Sequence, residues 1–378
     1  MKSWDLFCRV VDNYGDIGVC WRLARQLVAE HRLPACLWVD DLAAFRRIYP
    51  EVNPALDDQV CRGVRVRRWA DAFPAVEPAD VVVEAFACSL PESYLQAMAA
   101  RVVKPRWINL EYLSAENWVG ECHGLASPSP RLPLTKHFFF PGFTESTGGV
   151  LREHDLEARR QAFRQDMEAQ AAFWQRLGLP LPAVNEKRIS LFCYPPSRAE
   201  ALFALWQNQA ERTTCLVPEG IAGQALGEFF GERHAAAGRV FHRGNLEVRI
   251  LSFLEQDAYD RLLWACDCNF VRGEDSFVRA QWARQPMVWQ PYPQEEGVHL
   301  HKLDAFLDRY CAGLDNLAAQ AVQAQWRAWS RGEGVAEAWP TFRAQWGALQ
   351  PHAARWAEDL FKAGDLASRL VQFSTNRL

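Results

Sequence analysis

The 378-residue chain has no run of about 18 uncharged apolar residues, the length a membrane-spanning helix requires. Its longest buried-looking run, VVVEAFACSL at 81–90, is broken by Glu84, and no apolar stretch of leader length precedes Asp5. A cytoplasmic chain without membrane attachment is expected. A basic excess is also missing. With 42 Lys and Arg against 46 Asp and Glu the formal net charge is −4, the wrong sign for neutralising phosphates, so direct nucleic-acid binding is not expected. The 11 cysteines contain no C-x-x-C, and Cys266 and Cys268 form only a C-x-C. An odd, scattered set reads as reduced core residues rather than as disulfides or zinc ligands. H-E-x-x-H and G-x-S-x-G are absent, as is D-x-D, the usual carboxylate site for metal-bound nucleotide sugars. His299 and His301 read as structural or surface residues, and no metal site is expected. There is no short-period repeat and no low-complexity segment.

What remains is an ordinary globular composition, 49% hydrophobic and 23% charged, long enough for two domains. Apolar, β-branched runs alternate with segments of helical period, the pattern of βαβ units around parallel sheets. The first series runs through 5–11, a helix near 16–30, 36–40, a helix through Phe45, then 80–86, 107–111 and 137–143. The second runs through 188–194, 214–218, 239–243, 248–253, 268–272 and 287–292. Between them one long helix is predicted over 152–177, closed by Gly178 and Pro180. The tail from about 299 reads as helical, its tryptophans serving mainly as packing. The predicted organisation is a Rossmann-like domain over 1–183 and a second over 184–351, with a last helix at about 352–378 packing back on the first. Two such domains facing one another across a cleft would bind ligands at the carboxyl ends of their strands.

Two motifs lie at such strand ends. D-N-Y-G-D-I-G at 12–18 follows the first strand and opens the first helix. Gly15 and Gly18 permit a tight turn, but the pattern is neither G-x-G-x-x-G nor a P-loop. It presents two carboxylates, Asp12 and Asp16, which would repel phosphate and welcome a cationic or proton-donating acceptor. The alternative is that Asp16 only caps the helix. V-R-G-E-D-S-F-V-R-A at 271–280 again joins a strand to a helix. There Gly273 allows the turn, the amides of 274–277 and the Ser276 hydroxyl could meet a diphosphate, and Arg272 and Arg279 could supply positive charge. Asp275 or Ser276 could equally act only as a cap. Tyr194, Phe253 and Gln256 end or follow strands and could face the same cleft, Phe253 stacking a nucleobase and Gln256 bonding its edge. Tyr292 follows a further strand and could close the cleft.

D-N-Y-G-D-I-G-V-C-W-R-L-A-R-Q-L (12–27), E-A-F-A-C-S-L-P-E (84–92), N-L-E-Y-L-S-A-E (109–116), R-G-E-D-S-F-V-R-A-Q (272–281) and P-Y-P-Q-E-E-G-V-H-L-H-K-L-D-A-F (291–306) resemble the EarP family. These are bacterial protein-arginine rhamnosyltransferases that modify translation elongation factor P, and the resemblance covers nearly the whole chain. It implies a GT-B fold of two facing Rossmann-like domains, dTDP-β-L-rhamnose as co-substrate with no further cofactor, and an arginine of elongation factor P as acceptor. It assigns Asp12 and Asp16 to the acceptor side. Asn13, Tyr14 and Gly15 join Tyr194, Phe253, Gln256, Arg272, Gly273, Asp275, Ser276 and Tyr292 as expected donor contacts, while Glu274 is expected with Asp12 and Asp16 among the catalytic residues, holding the sugar or orienting a cleft residue. The implied reaction is inverting and metal-independent, with Asp16 read as base and Asp12 as orienter, or the two acting as a coupled pair. Two alternatives stand: another GT-B enzyme, such as a small-molecule glycosyltransferase or a nucleotide-sugar epimerase, and a noncatalytic nucleotide-sugar-binding module.

Overall fold

The structure is a computed structural model that describes residues 2–12, 14–195 and 197–375. The chain divides into two compact units, residues Met1–His154 with Leu360–Leu378, and residues Asp155–Asp359.

The first unit is built on an eight-stranded sheet. Its strands are β1 (Trp4–Cys8), β2 (Ala35–Val39), β3 (Asp58–Cys61), β4 (Val64–Arg68), β5 (Val81–Ala85), β6 (Arg106–Leu110), β7 (Ala126–Pro128) and β8 (Thr135–Phe139). The order is β3-β4-β2-β1-β5-β6-β8-β7, parallel except for the edge hairpins β3-β4 and β7-β8. Trp4 registers against Ala35 on one side and Val81 on the other, so β1 is central. Its five residues are all buried, which is why the sequence reads as a continuous apolar run with only Asp5 interrupting. The helices are α1 (Gly15–Ala29), α2 (Leu42–Ile48), α3 (Glu92–Ala100) and the short α4 (Trp118–Cys122). Trp21 of α1 packs on Phe45 at 5.1 Å, and Phe7 of β1 meets Trp38, Trp69 and Tyr94.

The second unit opens with α5 (Leu156–Gln165) and α6 (Met167–Arg176), where one helix was expected. The break is at Asp166, whose carboxylate accepts the amides of Glu168 and Ala169 and so starts a new helix. The six-stranded sheet comprises β9 (Glu186–Leu191), β10 (Arg212–Pro218), β11 (Val240–Arg243), β12 (Leu246–Leu251), β13 (Cys268–Arg272) and β14 (Met287–Gln290). Its order is β11-β12-β10-β9-β13-β14, parallel but for β11. Around it lie α7 (Ala199–Trp206), α8 (Gly223–Phe230), α9 (Gln256–Ala265), α10 (Asp275–Ala283), α11 (Val298–Cys311), α12 (Asn316–Arg331) and α13 (Val335–Ala344). Trp206, Trp326, Trp329 and Trp339 are fully buried, so the helical tail packs through aromatic rings. Each fully buried large apolar side chain is worth about 1.5 to 3 kcal/mol.

Helix α14 (Trp346–Lys362) leaves the second unit, and α15 (Leu366–Thr375) belongs to the first. Lys2 Nζ donates to the Ser374 carbonyl at 3.1 Å, and Arg369 donates to the carbonyls of Glu145 and Thr147. The chain terminus is thereby tied to the sheet whose first strand carries the 12–18 motif. All 11 cysteines are free thiols, nine of them buried.

Candidate active site

Each sheet reverses its strand order beside its first strand, β1 in one unit and β9 in the other. A crevice opens at the carboxyl end of such a switch. In the first unit β2 lies on one side of β1 and β5 on the other, and the 12–18 motif leaves β1 there. In the second, β10 and β13 flank β9, and the 271–280 motif leaves β13. Each motif thus lies beside the switch point of its own sheet, one after the first strand β1 and the other after β13, the neighbour of the first strand β9.

The first motif is organised by Asp16. The reading of Asp16 as a helix cap does not hold: the cap position of α1 is Tyr14, whose side chain makes no capping bond. Asp16 sits in the first turn and reaches back, its Oδ2 accepting the amides of Val11 and Asp12 at 2.8 Å each. Its Oδ1 accepts the Tyr112 hydroxyl at 3.1 Å. Asp16 is only 2% exposed, and burial lifts its carboxyl above the usual range against the lowering pull of the Asp12 and Val11 amides and Tyr112, with Asp40 adding to the rise. Asp12, also buried, folds over Gly15: the Gly15 amide donates to the Asp12 carbonyl at 2.7 Å, and a Cβ at 15 would stand 2.7 Å from Asp12 Oδ2. A side chain at 15 would have to push that carboxylate aside. Tyr14 takes a hydrogen bond from Arg47 at 3.0 Å. Asn13 lies outside the described residues.

Tyr112 was not singled out from sequence. Its ring stacks on Phe86 at 4.3 Å and 14°, at the ends of β6 and β5. Phe86, Ala87 and Ser89 all hold positive φ, near +55°, which costs non-glycine residues about 1 to 3 kcal/mol each. Backbone strain at a strand end leaves no composition signal. Only the position of Tyr112, two residues beyond a central strand, points to it.

The second motif uses the same device. The Ser276 hydroxyl, in the first turn of α10, accepts the Arg272 amide at 3.1 Å and donates to the Arg272 carbonyl. The hydroxyl expected to meet a diphosphate therefore pins the turn. Gly273 has φ +59°; its amide donates to the Gln290 carbonyl at 3.1 Å and its carbonyl accepts Trp289 Nε1 at 2.8 Å. Neither Asp275 nor Ser276 is the cap, which is Glu274, half-buried and without a side-chain capping bond. Asp275 accepts Gln256 Nε2 at 3.1 Å, joining the start of α9 to the turn. Tyr194 is buried, its amide donating to Gln290 at 2.8 Å and its ring edge-on to the exposed Tyr292 at 5.4 Å. Phe253 is half-buried just beyond β12.

The two arginines of this motif part company. Arg279 forms a two-pronged ion pair with Asp260 at 2.9 and 2.7 Å, with both side chains 1% exposed or less. Its charge is satisfied inside the fold, and the expectation that it serves a phosphate is withdrawn. Arg272 is 6% exposed, its guanidinium resting on the rings of Phe192 at 4.4 Å and Tyr194 at 4.2 Å, and among the described residues it has no carboxylate partner. A buried cation without a counter-ion costs several kcal/mol. Beside it lies the first turn of α10, whose amides have no intrahelical acceptor.

Among the described residues no three His, Cys, Asp or Glu side chains are grouped to hold a metal, and no helix is long and apolar enough to cross a membrane. His299 accepts the Gln294 amide at 3.2 Å.

Two α/β sheets, each with a strand-to-helix turn beside its switch point, define the class: this is a chain of GT-B-like fold. A solved spinosyn rhamnosyltransferase, SpnG, shares that fold with a TM-score of 0.53 at 10% identity, covering 99% of this chain and 100% of its own. The family described as Elongation-Factor P (EF-P) rhamnosyltransferase EarP matches residues 4–375, and the chain belongs to it. A protein-arginine rhamnosyltransferase of Pseudomonas putida is 51% identical over 377 residues, 100% of this chain and 99% of its own. The solved structure described as the structural basis for EarP-mediated arginine glycosylation of translation elongation factor EF-P matches at 37% identity and TM-score 0.72, with both chains fully covered. The chain is accordingly an enzyme, a rhamnosyltransferase.

Proposed function

We propose that the enzyme transfers L-rhamnose from dTDP-β-L-rhamnose to an arginine side chain of translation elongation factor P, with inversion at the anomeric carbon. The observation that carries this reading is the contrast between the two motifs: a buried, uncompensated Arg272 beside a helix N-terminus in one unit, and the desolvated carboxylate of Asp16 in the other. The first suits a departing diphosphate, the second a guanidinium. The family membership supports the sugar and the acceptor.

The chemistry follows from the acceptor. A guanidinium stays protonated in water, with a pKa of about 12.5 or higher, and a carboxylate cannot deprotonate it outright. A carboxylate can hold it and take the proton as the C–N bond forms. Arginine nitrogen attacks the anomeric carbon, the carbon–phosphate oxygen bond breaks with its electron pair leaving on dTDP, and the guanidinium proton passes to Asp16. Asp12 orients the group. Attack opposite the leaving group turns the β donor into an α-linked product. Arg272 and the first-turn amides of α10 receive the charge that develops on the diphosphate. Glu274 holds the sugar, and the aromatic side chains of Tyr194, Phe253 and Tyr292 wall the donor.

Incubated with elongation factor P and dTDP-β-L-rhamnose, the enzyme is expected to add one deoxyhexose mass to one arginine, read by peptide mass spectrometry. Unmodified factor, or donor isomerised without transfer, would sink the reading. EDTA is expected to leave the initial rate unchanged, because Arg272 and the helix amides do the work a cation would do. A rate lost in EDTA and restored by Mg²⁺ or Mn²⁺ would show that they do not.

A further inference from the structure

The bonding of Asp16 is nearly complete before any acceptor arrives. An ionised carboxylate offers about four lone-pair directions. Among the described residues Oδ2 holds the Val11 and Asp12 amides and Oδ1 holds the Tyr112 hydroxyl, which leaves one direction, on Oδ1. We propose that Tyr112 is a positioning residue: by occupying one side of Oδ1 it restricts Asp16 to a single contact with one guanidinium N–H. The inference rests on the reading of Asp16 as the base. Its chemical sense lies in the alternative. A forked pair with both carboxylate oxygens would hold the guanidinium in its protonated form. A single contact directs one proton toward one oxygen and leaves another nitrogen for attack.

The structure supplies a reason for Tyr112 to stay in place. Its ring rests on Phe86, and the strained 86–89 turn is tied down at three points. The Phe86 amide donates to the Leu110 carbonyl at 2.7 Å, the Ala87 amide to Asn109 Oδ1 at 3.2 Å and the Ser89 amide to Glu84 at 3.3 Å. Leu110 and Asn109 belong to β6, and Tyr112 follows two residues after that strand ends. Platform and phenol are therefore fixed to the same strand end. From the opposite side Asp40, after β2, accepts the Val10 amide at 2.9 Å, so three successive amides, Val10 to Asp12, are held by two carboxylates.

The groups that bear on Asp16 are Asp12 on its own loop, Tyr112 just beyond β6, Asp40 just after β2, and the thiol Cys8 of β1. Burial, foremost, keeps Cys8 a neutral thiol. Tyr112 donates to the ionised form of Asp16 and Asp40 repels it, so removing each acts in opposite directions.

The test is single-turnover transfer to elongation factor P at saturating dTDP-rhamnose, followed from acidic to neutral pH in Tyr112→Phe, Asp40→Asn and Asp16→Asn. Tyr112→Phe keeps the ring stack and loses only the hydroxyl. Its acid limb is expected to move up by about half to one pH unit, with a several-fold lower plateau and unchanged donor affinity. Asp40→Asn keeps an oxygen for the Val10 amide and is expected to move the limb down. A merely structural role for Tyr112 would lower the rate without moving the limb. If Tyr112→Phe leaves the limb in place, or moves it the same way as Asp40→Asn, while Asp16→Asn is inactive, the positioning role is wrong and the base assignment stands. An Asp16→Asn variant with full activity removes the base assignment and this inference with it.

Discussion

Asp16→Asn is expected to cut transfer to elongation factor P by about 10² to 10⁴, the usual range for loss of a general base, while calorimetric binding of dTDP-rhamnose is unchanged. The asparagine oxygen can still accept the Val11 and Asp12 amides, so the loop before α1 keeps its anchor. The amide nitrogen that replaces Oδ1 cannot take a proton. Stability gives an independent reading. Because burial raises the Asp16 carboxyl above its unfolded value, the ionised form is disfavoured by folding. A carboxyl shifted up in this way weakens the fold as pH rises through the interval between the two values, and the penalty is fully present at neutral pH. Removing the charge should therefore leave Tm at pH 7 the same or higher. A structural carboxylate, paired and shifted down, would show the reverse. If Asp16→Asn melted earlier and transferred normally, Asp16 would be a loop anchor and nothing more.

The central strands were legible because their residues are buried on both faces. WDLFC at β1, VVVEA at β5 and CNFVR at β13 are continuous runs that no amphipathic helix would show. The outer strands β3, β4 and β7 of the first sheet were missed for the opposite reason, whereas β11 and β14 at the edges of the second were read. The hairpin of β3 and β4 is half solvated, with Asp58 bonded to Arg65 and Arg67, so its apolar signal is thin. Its turn is marked only by Arg62 and Gly63, both at positive φ. The break at Asp166 was hidden by the apolar positions Phe163, Met167 and Trp174, which keep helical spacing across it. At the candidate site the local motifs pointed to both turns, since a strand-to-helix junction with glycine and acid is written in consecutive residues. Partners distant in sequence were not. Tyr112 lies 96 residues from Asp16, and Asp260 meets Arg279 from another helix. Pairing of this kind marks Arg279 as structural and leaves Arg272 as the arginine proposed to meet the donor, a distinction that the ten residues of the motif do not carry.

Arg272→Ala is expected to weaken dTDP-rhamnose binding by about ten- to 150-fold, the equivalent of about 1.5 to 3 kcal/mol for one charge-assisted contact. Transfer at saturating donor should also slow, because the diphosphate gains charge as it leaves and the lost contact matters most there. Arg272→Lys should fall between, since the charge remains while the flat stacking on Phe192 and Tyr194 is lost. The control lies seven residues on. Arg279→Ala strips Asp260 of its partner inside the fold, which costs about 3 to 5 kcal/mol of stability. It should lower Tm steeply and leave the donor affinity of the folded fraction unchanged. Arg272→Ala should do the opposite. It removes a cation that has no counter-ion among the described residues, so Tm without donor is expected to hold or rise, while the gain in Tm on adding donor shrinks. If instead Arg272→Ala unfolded the protein and bound donor normally once stabilised, its charge would belong to the core, and the donor site would have to be sought away from the β13–α10 turn.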